Sequence, residues 1–187
     1  MGKVIYSMNV SLDGFIETPA HSLDWVVMDE ELHTWFNDEA RNTAAFLYGR
    51  RLYEVMRAYW PTAESDPAAT PAMLEFARIW NAKPKVVFSK TLSSVDSNSS
   101  LATGDVAEEV GKLRGELDGA LSVGGATLAA AFIERRLVDE YRLMIHPVIL
   151  GAGRPFFPKL EKPIGLELLE TRRFASGVVY LRHAAQP

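Results

Sequence analysis

No cysteine occurs among the 187 residues, which excludes disulfides, thiolate metal sites, a cysteine nucleophile and the cysteine-bearing zinc centre of base deaminases. A reducing compartment is compatible with that absence. No apolar run approaches the ~20 residues that cross a bilayer, and the chain opens on a strand-like segment without a charged-then-apolar leader. A cytoplasmic protein with no membrane contact is expected. Positive charge is not in excess: the formal net charge is -4, and Lys and Arg form no basic run, so nucleic acid is not expected as a partner. The histidines His21, His33, His146 and His183 lack i,i+3 or i,i+4 spacing, and no metal site is expected. Neither a G-x-S-x-G elbow nor a G-x-G-x-x-G fingerprint occurs, and no repeat of fixed period is found.

What is present is a folding composition, 48% hydrophobic and 24% charged, in a chain long enough to bury a two-sided core. One domain over residues 1–187 is expected. Lys3 to Val10 reads as a strand that exits at Asp13-Gly14. Leu32, Trp35, Phe36 and Ala40 recur at helical spacing between Asp29 and Thr43, with Glu30 and Glu31 at the favourable amino end. Ala45 to Tyr48 is a short apolar run ending at Gly49, with a helical turn or two following. The prolines between Pro61 and Pro71 suggest an exposed connection, and a helix is expected over Met73 to Trp80. Lys85 to Phe88 reads as a buried strand, and the serine-rich Ser93 to Ser100 has room for a brief strand only.

Asp105 and Glu108 have capping-box spacing ahead of Val106, Val110, Leu113 and Leu117, which lie along one face of a helix expected to continue until Gly119 ends it. Ala120 to Val123 is a strand, and Gly124-Gly125 turns it into a helix from about Ala126 to Arg135. The remainder is β-rich: Val138 to Ile149, Leu166 to Phe174 and Val178 to His183, the last two joined as a hairpin through Ala175-Ser176-Gly177. The expectation is a three-layer α/β fold with a mixed, mostly parallel sheet, helices on both faces and a C-terminal β-hairpin.

Three strand ends carry groups suited to phosphate. Gly124-Gly125 opens a helix whose free N–H groups and dipole favour an anion, although tight turns also use glycine for backbone freedom alone. Gly49-Arg50-Arg51 adds two guanidiniums, and Ser89-Lys90-Thr91 adds hydroxyls and an ammonium; each alone also reads as solvated surface. Carboxyl ends of neighbouring parallel strands would bring them to one crevice, and a phosphorylated nucleotide is the expected ligand. Of the tryptophans only Trp25, in a loop-like setting, is a candidate for lining a ring pocket.

Ser11-Leu12-Asp13-Gly14-Phe15-Ile16, Gly49 to Glu54, Val87 to Leu92, Val123-Gly124-Gly125, Leu137 to Glu140 and Pro147 to Gly153 occur in an order that resembles the dihydrofolate-reductase-like superfamily. The likeness is greatest to stand-alone relatives of the reductase domain of bifunctional riboflavin-biosynthesis deaminase/reductases. The resemblance implies a dihydrofolate-reductase-like fold and an NADPH site at Gly49, Arg50, Arg51, Ser89, Lys90, Gly124, Gly125, Ala126 and Thr127. It places the Asp13-Gly14 loop near the nicotinamide and implies a homodimer. No deaminase module is expected on this chain.

The function so implied is an NADPH-dependent reductase that passes a hydride to a small pterin- or pyrimidine-type heterocycle, with 5-amino-6-(5-phosphoribosylamino)uracil, a riboflavin-biosynthesis intermediate, among the candidates. Val123 stands where those reductases usually have an acidic residue, and Ser7 where they have a lysine. Asp13, Glu30 and Glu31 are the candidate proton donors, with solvent as the alternative. A noncatalytic NADP(H)-binding or sensing module is the competing reading.

Overall fold

The computed structural model describes residues 2–96 and 98–186. β1 (Val4–Ser11) lies near the middle of an eight-stranded sheet. Parallel to it on one side run β6 (Ala120–Gly124), β3 (Thr43–Gly49), β4 (Lys85–Phe88) and β5 (Ser99–Leu101). On the other side β7 (Glu140–His146) is also parallel, followed by the antiparallel pair β10 (Val179–Ala185) and β9 (Leu166–Arg173). The sheet is therefore mixed and mostly parallel, ending in a hairpin. A second, two-stranded sheet pairs β2 (Phe15–Glu17) with β8 (Arg154–Pro155). Strands of two and three residues carry too little alternation to be read from sequence.

The pleat sorts the core onto two faces. Val4 and Tyr6, Ala45 and Leu47, and Leu121 and Val123 face α4 (Val106–Glu116) and α5 (Ala126–Glu134). Phe46, Tyr48 and Val87 face α1 (Glu30–Arg41), α2 (Arg50–Tyr59) and α3 (Pro71–Ala82), where Ala40, Tyr53 and Trp80 are buried. Leu32 of α1 is buried with Met144 and Tyr180, which ties α1 to the antiparallel part of the sheet.

Helix starts follow their caps. Asp105 accepts from the N–H groups of Ala107 and Glu108, and Glu108 reaches back to the N–H of Asp105, completing the capping box read from the sequence. Asp29 caps α1 through the N–H of Leu32.

Several boundaries differ from expectation. Pro61 to Pro71 is not wholly an exposed connection: Trp60–Ser65 forms a 3-10 helix with Ala63 buried, since proline is accommodated in a first helical turn where no N–H is needed. Helix α3 begins at Pro71 rather than Met73, with the Thr70 hydroxyl as its cap. Helix α4 ends at Glu116, before Gly119. The strand expected from Val138 to Ile149 is shorter, because His146 accepts from the N–H of Val148 in a turn. The brief strand foreseen near Ser93 to Ser100 is β5; Ser97 lies outside the described residues.

Candidate functional site

Strands β1, β3, β4 and β6 run the same way, so their carboxyl ends open on one side, and a cleft of about 570 Å³ lies there. Met8, Ile16, Leu52, Phe88 and Leu128 provide apolar lining, and Arg50, Arg51, Lys90 and Arg154 bring positive charge to it. The three phosphate-suited strand ends do converge: residues from Gly49 to Arg51, from Ser89 to Thr91 and from Gly125 to Thr127 all line this cleft.

Arg50, the first residue of α2, donates from Nε to Glu54 at 2.9 Å and from Nη1 to the Thr91 hydroxyl at 2.7 Å. It therefore joins α2 to the loop after β4. The Ser89 hydroxyl accepts from the N–H groups of Thr91 and Leu92, which shapes that loop. Lys90 is exposed and makes no hydrogen bond or ion pair among the described residues.

The two glycines have different work. Gly125, at φ +93°, precedes α5 without any side-chain cap, so the first-turn N–H groups of Ala126 and Thr127, two residues that line the cleft, are left without a capping partner. Gly124 does not line the cleft. A Cβ there would lie 2.5 Å from Leu52 Cδ2 and 3.0 Å from the Tyr48 ring, so its lack of a side chain lets α2 pack closely on β6.

A further charged group was not foreseen. Glu17 of β2 is buried, and its carboxylate accepts from Arg51 Nη1 at 3.0 Å, Arg51 Nη2 at 2.9 Å and Arg154 Nε at 3.3 Å. Burial pushes the carboxyl up, but Arg51 and His21 outweigh it and hold Glu17 below the usual range. His21 is a non-glycine residue at φ +64°, and its Nδ1 lies 3.0 Å from both Glu17 Oε1 and Arg51 Nη1. That nitrogen donates to the carboxylate or accepts from the guanidinium, not both. A three-residue strand and a single arginine beyond the Pro147 to Gly153 motif left no periodic signal for this group.

The model of the RibD C-terminal domain matches residues 2–180. The chain belongs to the RibD C-terminal domain family. It is 37% identical over 180 residues to the uncharacterized protein YyaP of Bacillus subtilis, covering 96% of this chain and 93% of that protein. Among solved structures it is similar to a putative riboflavin biosynthesis protein from Shewanella sp. PV-4, with a TM-score of 0.78, 20% identity and full coverage of both chains. It also resembles, with a TM-score of 0.65 and 13% identity over 100% of this chain and 98% of the other, a dihydrofolate reductase of Enterococcus faecalis complexed with NADP(H). The dihydrofolate-reductase-like fold expected from the sequence is thus the fold found.

In this RibD C-terminal domain the three carboxylates singled out as proton donors lie off the cleft lining. Asp13 accepts from the Ser11 hydroxyl at 2.6 Å and from the N–H groups of Leu150 and Gly151 at 3.1 and 2.7 Å. The Ser11 bond chiefly, with those backbone groups, holds its carboxyl below the usual range. Glu31 accepts from the N–H of Ala175 and from Arg172, tying α1 to the hairpin turn, and these bonds hold it low as well. Glu30 is exposed at the start of α1.

His146, at the carboxyl end of β7, is buried, and that burial lowers its pKa. Its Nδ1 accepts from the Val27 N–H at 3.3 Å while Nε2 faces Asn9 Oδ1 at 2.9 Å, the pattern of a neutral ring protonated on Nε2. Trp25 packs edge-on against it, so this tryptophan helps pin the segment before α1 over the sheet.

Proposed function

We propose that this RibD C-terminal domain is an NADPH-dependent reductase that passes a hydride to a small pterin- or pyrimidine-type heterocycle. The observation that carries the reading is the convergence of Arg50 and Arg51, of Ser89 to Thr91, and of the uncapped start of α5 on one cleft with apolar lining. Guanidiniums and free backbone N–H groups are what phosphates bind, and the apolar lining suits a nicotinamide and shields a hydride from water. The Enterococcus protein of the same fold is an NADP(H) complex, which supports the same cofactor here. In this proposal Arg50 and Lys90 serve the 2'-phosphate, and Gly125, Ala126 and Thr127 the pyrophosphate. Gly49 and Ser89 shape the strand ends that carry them, and Gly124 supports the site through helix packing.

Positioning and exclusion of water supply most of the rate in this reading. The proton comes from solvent, because Asp13 and Glu31 are held as anions by their hydrogen bonds and none of the three candidate carboxylates lines the cleft. The Asp13→Asn, Glu30→Gln and Glu31→Gln variants are therefore expected to keep turnover, and a large loss of kcat in one of them would assign it the donor's role.

Fluorescence titration with NADPH and NADH tests the cofactor. Tight binding of NADPH, weaker binding of NADH, and a loss of about 10–100-fold in NADPH affinity on changing Arg50 and Arg51 to Ala are expected from charge-assisted bonds. Binding of neither dinucleotide overturns the reading. A noncatalytic NADP(H)-binding module is the competing reading, motivated by Val123 and Ser7 where related reductases usually have an acid and a lysine; NADPH binding without oxidation across a pterin and pyrimidine panel would establish it. The homodimer belongs to the same proposal. Edge strand β9 leaves Leu166, Leu168 and Leu169 exposed, and a monomer by light scattering at micromolar concentration would remove it.

A further inference from the structure

We propose that Arg154 is a phosphate-binding residue of the cleft and that Glu17 is the positioning residue that holds it there, so that Glu17, Arg51 and Arg154 form one anion-recognition unit. The inference rests on the cofactor reading above and deepens it, assigning this unit to a dinucleotide's pyrophosphate.

Two guanidiniums repel each other, and these come from different elements, Arg51 from α2 and Arg154 from β8. The Glu17 side chain, 11% exposed, brings them together: Oε1 accepts from both arginines and Oε2 from Arg51 alone. One carboxylate neutralises one of the two positive charges, and the surplus belongs to a wall of the cleft.

The arginines are not equivalent. Both terminal nitrogens of Arg51 are committed to Glu17, and one of them also lies beside His21. Arg154 is bound through Nε only; its terminal nitrogens make no hydrogen bond among the described residues, and its side chain is 45% exposed. A guanidinium held at Nε, here by one 3.3 Å bond, keeps its two outer nitrogens available to fork onto phosphate oxygens, and that restraint lowers the entropy lost on binding.

The backbone reinforces the placement. Glu17 pairs with Arg154 across the β2–β8 ladder, and a Cβ at Gly153 would lie 2.0 Å from the Glu17 carbonyl oxygen. Only glycine, here at φ +152°, lets the chain approach β2 this closely one residue before Arg154. An ordinary surface ion pair, such as that of Arg78 and Glu64 with both side chains about two-thirds exposed, has no buried carboxylate to anchor it.

The test is titration of the full chain with NADPH at several salt concentrations, comparing wild type, Arg154→Ala, Glu17→Gln and the double variant. Arg154→Ala, at a partly exposed position, is expected to raise Kd about 10-fold and to make its salt dependence shallower. Glu17→Gln keeps the shape of the side chain and is expected to raise Kd, with a smaller effect when Arg154 is already absent; a purely structural role would give the same effect in both backgrounds. Should Glu17→Gln fail to fold, Glu17→Asp, which withdraws the charge by one methylene, is expected to act in the same direction. NADPH affinity unchanged in Arg154→Ala overturns the proposal, and tighter binding in Glu17→Gln overturns the positioning role. Where wild type binds neither dinucleotide, the cofactor reading fails on its own and inorganic pyrophosphate becomes the probe. A pyrophosphate-induced rise in Tm that Arg154→Ala loses supports the unit, and an equal rise, or none in wild type, overturns it.

Discussion

Glu17 and Glu140 are two buried carboxylates, each surrounded by basic side chains, near opposite ends of the parallel strands. Around Glu140, at the amino end of β7, stand Lys3, Arg142 and Arg182, and further acids close the network: Glu39 pairs with Arg142, and Glu170 with Arg182. Around Glu17, beside the carboxyl ends, stand Arg51, Arg154 and His21; both groups border a cavity, but among the described residues Arg154 has no second acid. The chemistry of the two carboxylates is alike, but the balance of charge is not. Burial of an ion cluster therefore does not by itself mark a site; surplus charge facing a cavity does.

The largest effect expected from this contrast is at Glu140. Glu140→Ala would leave basic groups without their buried acceptor and should destabilise the fold by about 3–5 kcal/mol in urea titration, while the folded fraction keeps its affinity for NADPH. Burial pushes the Glu140 carboxyl up, but Arg182 and Lys3 outweigh it and its folded pKa lies below the ordinary 4.5. Its contribution is then complete above pH 4.5 and lost as pH falls through the folded value, so Glu140→Gln should flatten the acid limb of a stability profile. An unchanged acid limb would mean that Glu140 and its partners are no more coupled than a surface network.

Next in size is the difference between the glycines. Gly124→Ala should cost about 1–3 kcal/mol of stability through overpacking against Leu52 and Tyr48, with any loss of cofactor binding following from the displaced helix. Gly125→Ala meets no atom closer than 3.7 Å, so its cost is the backbone strain of φ +93° with ψ 124°, about 1–3 kcal/mol, and, on the proposed cofactor reading, a direct loss of phosphate contact. Equal binding defects at equal stability would erase the distinction. The smallest effect is expected at Lys90: Lys90→Ala should leave Tm unchanged and weaken NADPH by about 3-fold at low salt, vanishing at high salt.

Much of the fold was legible because helices and central strands announce themselves locally. The capping box at Asp105 and Glu108 and the helical spacing of Leu32, Trp35, Phe36 and Ala40 led to elements found within a few residues of their expected ends. Alternation in Ala45 to Tyr48 divides those residues between two cores. The 3-10 helix at Trp60–Ser65 was hidden because prolines read as loop, and β2 and β8 were hidden because such short strands exist only through each other.

The sequence by itself determined the elements, their order and the three strand ends rich in glycine, arginine and serine, since capping, periodicity and turn chemistry are carried by residues near one another in the chain. Only the tertiary structure decided which of these groups meet. Parallel pairing of β3, β4 and β6 brought Arg50, Thr91 and the start of α5 to one cleft, packing assigned Gly124 to helix contact and Gly125 to the cleft, and the β2–β8 ladder delivered Arg154 to Glu17. Charge placement across long loops depends on strand order and register, and no local pattern of residues encodes either.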